Sequence, residues 1–95
     1  MVYNILVVDD EQSIADLVEL YLQNESYQVF KFYHGQEALD SLKKNHYDLA
    51  ILDVMMPDLD GFSLLKKIRE DYFFPVIMLL SLIHISEPTR PLYIS

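Results

Sequence analysis

The sequence predicts an α/β fold in which a parallel sheet carries helices on both faces. Three observations lead there: short apolar runs at residues 5–8, 49–52 and 76–80, amphipathic stretches between them, and brief joins marked by Gly or Pro. Strands and helices alternating as βαβαβαβ require right-handed crossovers, and such crossovers put helices on both sides of the sheet.

The first run, Ile5-Leu6-Val7-Val8, is aliphatic throughout and stops at Asp9-Asp10, the pattern of a strand buried on both faces. Residues 11–24 follow with Ile14, Leu17, Val18, Tyr21 and Leu22 at helical spacing, and with acidic residues at the start to complement the helix dipole. Residues 27–33 are aromatic and β-branched with Gln28 and Lys31 interspersed, which suits a half-exposed edge strand. His34-Gly35 breaks it, and residues 36–44 set Ala38, Leu39 and Leu42 on one face of a short helix that ends in lysines. The run Leu49-Ala50-Ile51-Leu52 repeats the first strand's pattern and ends in Asp53. Pro57 forbids continuing that strand, and Gly61 is read as supplying backbone freedom before a helix marked by Phe62, Leu65 and Ile68. Pro75 introduces the fourth strand, after which residues 81–95 show no sustained period and read as an irregular tail. A short extended stretch at residues 82–85 or 91–94 is the alternative there, since it would cover the exposed edge of the fourth strand.

Composition narrows the function. Ninety-five residues hold one domain, and no apolar run reaches the length of a membrane span. Fifteen acidic against seven basic side chains give a net charge of −8, which is unsuited to clamping a nucleic-acid backbone and favours a cation site. The absence of cysteine removes disulfides and Cys-ligated zinc. Residues 1–4 carry no charged n-region, so the expected compartment is the cytoplasm. His34, His46 and His84 lack metal-ligand spacing, and Tyr27, Phe30, Phe32, Tyr72, Phe73 and Phe74 are expected in the core and its rim.

Chemistry is expected where Asp9, Asp10 and Asp53 meet, because ligands of parallel α/β sheets bind at the carboxyl ends of the strands. Carboxylates so placed raise one another's pKa unless a cation intervenes, and Mg²⁺ suits best, since it accepts one or two carboxylates, a backbone carbonyl such as that of Met55 and several waters. The bland alternative makes Asp10 a helix cap and Asp9 and Asp53 turn residues.

The segments Ile5-Leu6-Val7-Val8-Asp9-Asp10-Glu11 and Leu49-Ala50-Ile51-Leu52-Asp53-Val54-Met55-Met56-Pro57-Asp58-Leu59-Asp60-Gly61 resemble the receiver domains of two-component response regulators. Residues 14–22 are similar to those of the winged-helix transcriptional class, of the vancomycin-resistance type. The resemblance covers residues 2–79 and implies a doubly wound, flavodoxin-like sheet, of which the chain carries strands in the order 2-1-3-4 before it stops. It also implies Mg²⁺ at Asp10, Asp53 and the Met55 carbonyl with Asp9 assisting, and Asp53 as acceptor of phosphate from a sensor histidine kinase. Such a module is a phosphoacceptor rather than an enzyme, and its full-length parent binds DNA through another domain.

Two departures accompany the likeness. Receivers carry Thr or Ser at the end of the fourth strand, where this chain has Leu80 with Ser81 one residue late, and no Lys follows Lys67 to pair with the phosphoryl group. Residues 1–80 are therefore expected to form a partial receiver without its dimerisation face. Residues 82–91 resemble translated sequencing adapter, so residues 81–95 are set outside the family pattern. The other readings are a non-functional receiver fragment and a phosphatase of the haloacid dehalogenase type. The latter needs Asp-x-Asp after the first strand, whereas Asp9 and Asp10 are adjacent.

Overall fold

The computed structural model describes residues 2–80 and 92–94. Its elements run β1 (Asn4–Val8), α1 (Gln12–Asn24), β2 (Gln28–Phe32), α2 (Gly35–Ser41), β3 (Leu49–Asp53), α3 (Gly61–Asp71), β4 (Val76–Leu79) and β5 (Leu92–Ile94). The sheet order is β2-β1-β3-β4-β5, with the first four strands parallel and β5 antiparallel to β4. The parallel order 2-1-3-4 is the expected one. The sheet does not stop there, however: Leu92 to Ile94 pair with Leu79 to Ile77 along the edge that β4 would otherwise leave open. Unpaired strand edges carry unsatisfied N–H and C=O groups, so even three residues find a place. This is the extended alternative at residues 91–94; the proposed stretch at 82–85 and the irregular reading of 81–91 lie outside the described residues.

Alternation along each strand sorts side chains between two layers. Leu6, Val8, Ala50, Leu52, Val76 and Met78 point to one face, where Ala38 and Leu42 from the α2 side and Leu64 and Ile68 from α3 complete the larger core. Ile5 and Val7 point to the other, packed against Ala15, Val18 and Leu22 of α1. The chain is thus doubly wound, with α1 on one face and α2 and α3 on the other.

Three local expectations change. The acidic residues before α1 lie outside it, since the helix begins at Gln12 with Glu11 at the N-cap and no acid in its first turn. Leu17 and Tyr21 are exposed, because α1 seats on the sheet through the Ala15, Val18 and Leu22 stripe and the other apolar positions turn outward. The helix α2 ends at Ser41, and Lys43 and Lys44 belong to the turn after it. Among aromatics, Phe30, Phe32, Tyr72 and Phe74 pack on the core as expected, whereas Tyr27 and Phe73 are exposed. Tyr47, which periodicity does not single out, is buried edge-on against Phe30 and Phe74, its hydroxyl 2.7 Å from that of Ser41.

The contrast between two leucines tests this seating of the helices. Leu64→Ala removes a fully buried side chain and is expected to cost about 2–5 kcal/mol in urea denaturation. Leu17→Ala should stay within about 0.5 kcal/mol of the parent, as surface changes do. Equal losses at the two positions would contradict the described seating of α1.

Candidate functional site

The parallel register of β1 on β3 places Val8 beside Leu52, so the next residues, Asp9 just past β1 and Asp53 at the last position of β3, stand together at the carboxyl ends of the strands. Because β1 has β2 on one side and β3 on the other, this is the point where strand order reverses. One carboxylate oxygen from each of Asp9, Asp10 and Asp53 lies within 4.8 Å of the others. The structure therefore brings together all three acidic residues singled out by sequence. Asp9 and Asp53 are buried, and Asp10 is half-buried.

Backbone groups hold the two buried acids. Asp9 donates its N–H to the Phe32 carbonyl at 3.1 Å, and its Oδ1 accepts the Glu11 N–H at 2.9 Å. Asp53 Oδ1 accepts the Met55 N–H at 3.3 Å, a long contact in keeping with a loop rather than a ladder. The turn reading of Asp9 and Asp53 thus captures their local hydrogen bonds. The helix-cap reading of Asp10 does not hold, since Glu11 is the N-cap and makes no side-chain cap bond. At Met55 the side chain is exposed, while that of Met56 turns into the core and anchors the loop.

Burial and like charge govern the electrostatics. Withdrawal from water, then the charge of Asp9, push the Asp53 carboxyl up to about 7 against the small opposing pull of the Met55 N–H. Burial likewise raises Asp9, and the Glu11 N–H offsets part of that. The described lysine nearest in sequence to the Asp9 end of the sheet, Lys31 on β2, is engaged elsewhere: its Nζ lies 2.7 Å from Asp16 and 2.9 Å from Glu19 on α1. Beyond β4, whose Leu79 pairs with Asp53, the next residue is Leu80, which offers no hydroxyl. Ser81 lies outside the described residues.

The loop from Val54 to Asp60 is fixed at points that sequence reading did not mark. The Asp58 carboxylate reaches across to the start of α2, accepting the N–H groups of Gly35 at 3.4 Å and Gln36 at 3.2 Å. Asp60 caps α3 through the Ser63 N–H at 2.9 Å, and the Ser63 hydroxyl donates to it as well. The Asp-x-x-Ser spacing 60–63 was the available signal for that cap. For Asp58 there was none, because its partners are 22 and 23 residues away.

A carboxyl whose pKa rises on folding binds a proton more tightly in the native state, so it favours folding below its unfolded value and this contribution is lost as pH climbs. For Asp53 the window runs from about 4 to about 7. In metal-chelated buffer, Asp53→Asn is expected to melt higher than the parent at pH 8 and to match it near pH 4. A parent advantage at pH 8 without metal would contradict the raised Asp53 pKa.

Comparison with known proteins points the same way as the geometry. The response regulator receiver domain profile matches residues 5–90, running past residue 80. The chain is 56% identical over 75 residues to the regulatory protein VanR of Enterococcus faecium, covering 79% of this chain and 32% of the relative. VanRc of Enterococcus gallinarum is 57% identical over 75 residues, with the same 79% and 32% coverage. The chain thus spans about a third of the length of these curated relatives. Among solved structures, a response regulator from Chloroflexus aurantiacus superposes with a TM-score of 0.81 at 35% identity, over 90% of this chain and 73% of that one. TrrA of Thermotoga maritima, solved in complex with Mg(2+)-BeF, gives 0.69 at 41% identity, over 72% and 59%. With four parallel strands in the order 2-1-3-4 and three acids gathered at their carboxyl ends, the chain belongs to the response regulator receiver domain family.

Proposed function

We propose that Asp53 accepts a phosphoryl group from the phosphohistidine of a sensor histidine kinase, with Mg²⁺ held by Asp9, Asp10, Asp53 and the backbone carbonyl of Met55. The observation that carries this reading is the convergence of three carboxylates within 4.8 Å at the sheet's switch point, in a chain of the receiver family. The donors fit the ion: all are hard oxygens, and Mg²⁺ takes few carboxylates and keeps coordination room for phosphate oxygens. The raised pKa of Asp53 supports the same assignment, because a pocket that resists its own negative charge gains most from a divalent cation. A likeness to TrrA, described as a complex with Mg(2+)-BeF, is in keeping with it.

In the transfer, an Asp53 carboxylate oxygen attacks phosphorus in line as the P–N bond to imidazole breaks. The imidazole leaves with the bonding pair and takes up a proton, while Asp53 keeps the phosphoryl group as an acyl phosphate. Mg²⁺, when bound, supplies positive charge against the oxygens of the transferred group. Asp53 must be ionised to attack, and the Met55 N–H both favours that form and fixes the rotation of the carboxylate. Leu80 brings no hydroxyl to the acyl phosphate, so this reading is one of phosphoacceptance without a hydroxyl relay at that position.

The relatives are named as regulatory proteins, and we extend the reading to a cytoplasmic parent that binds DNA through a separate domain. No helix among the described residues is long and apolar enough to cross a membrane. A net charge of −8 suits this segment to a cation rather than to a nucleic-acid backbone. It acts as an acceptor, not as a turnover enzyme on a separate substrate.

Incubation with acetyl phosphate and Mg²⁺, read by intact mass, tests the assignment. The expected product is one added phosphoryl group that requires Mg²⁺ and is missing from Asp53→Asn. A folded protein that gains no mass, or an Asn variant that is still labelled, would overturn it.

A further inference from the structure

Gly61, the first residue of α3, has no left-handed φ, so the conformational freedom expected of it from sequence is not what the position uses. Its surroundings give another reason for glycine. A Cβ built there falls well inside contact distance of the Asp53 carbonyl oxygen, 2.9 Å from the carbonyl carbon and 2.8 Å from Met78 Cε. The Gly61 N–H meanwhile donates to the Val54 carbonyl at 2.9 Å, and the Val54 N–H donates to the Leu79 carbonyl at 2.9 Å. The start of α3 is therefore drawn against the last peptide of β3 and tied, through Val54, to the end of β4.

The geometry points to Gly61 as a positioning residue for the acidic site: its missing side chain lets α3 press on the Asp53 peptide and so sets where the Asp53 carboxylate and the Met55 backbone stand relative to Asp9 and Asp10. Asp53 is the last residue of its strand, and Met55 lies on the loop that Gly61 closes. Any atom at the Cβ position must move either the Asp53 peptide or the helix. A flexible Met78 side chain can give way, whereas the Asp53 peptide, whose Val54 N–H is bonded to the Leu79 carbonyl, has less room. Placement matters at a metal site, where changing a group that orients the ligands typically costs about 10- to 100-fold in affinity. This inference rests on the reading of the site as a Mg²⁺ pocket.

Mg²⁺ titrations of the full 95-residue chain, followed by backbone-amide NMR, separate the possibilities. Wild type is expected to saturate, with shifts centred on residues 9–11 and 53–55. Gly61→Ala should stay folded and bind Mg²⁺ about 10- to 100-fold more weakly. Ile68→Val, a truncation of the core on the same helix but remote from the loop, should keep wild-type affinity and so mark what mere loss of packing does. The double variant Gly61→Ala, Met78→Ala removes the side-chain contact and leaves the carbonyl contact, so it should remain weak. Wild-type affinity in either glycine variant would overturn the proposal, as would failure of both to fold, because Gly61 would then serve the fold and not the aim of Asp53. A wild-type chain that shows no Mg²⁺-dependent shifts removes the pocket reading itself.

Discussion

The structure turns on the parallel pairing of β1 with β3. That register brings Asp9 and Asp53 side by side at the carboxyl ends of the strands, with Asp10 next to them, and creates a concentration of negative charge in a partly dehydrated place. The pairing is driven by the apolar residues just behind it: Leu6, Val8, Ala50 and Leu52 are almost wholly buried on one face, and a one-residue slip would turn a strand's set to the other. Hydrophobic burial thus imposes an electrostatic cost that local hydrogen bonds from Glu11 and Met55 only partly offset. What remains is the affinity for positive charge on which the site's proposed chemistry depends.

Much of this was legible in the sequence because the governing signals are local. Two aliphatic runs that each end in Asp announce strands and the end at which they act, and the alternation of strands with helices fixes their parallel sense. Less legible was everything decided by partners distant along the chain. Periodicity treats Leu17 and Val18 alike, yet only the angle at which α1 lies on β1 and β2 decides that one is exposed and the other packed. Asp58 looks like any loop acid until α2 is in place beside it. Gly61 shows the limit most sharply, since a glycine before a helix reads as a need for unusual backbone angles, whereas the actual need is for space against Asp53.

The loop between β3 and α3 illustrates how a short segment can be made rigid without regular structure. Side chains hold it at three points, Met56 in the core, Asp58 on the start of α2 and Asp60 on the start of α3, and the Gly61 N–H closes it on the Val54 carbonyl. Each contact is modest, but together they leave few conformations to lose when a ligand binds, which is the condition for a site that pays little in ordering. The exposed Met55 side chain between these anchors leaves only its backbone to serve the proposed Mg²⁺ site.

The two faces of the sheet are not equally covered, and the position of the site relative to them explains why it can stay well defined. On the face shared by α2 and α3, Leu6, Ala50, Leu52, Val76 and Met78 are sealed, whereas on the α1 face Leu49, Ile51, Ile77 and Leu79 stay half-exposed, since α1 packs mainly on β1 and β2. A looser layer costs hydrophobic stabilisation at the β4 side of that face. It costs the acidic site less, because Asp9 and Asp53 extend from the two strands with a paired neighbour on each side, and the residue before each is a sealed Val8 or Leu52. Local opening is expected to begin where burial is thinnest, at the β4 side, and to reach the β1–β3 junction only when the better packed layer gives way. The pocket's geometry is in this sense a property of the α2 and α3 core, to which the β3–α3 loop is also anchored.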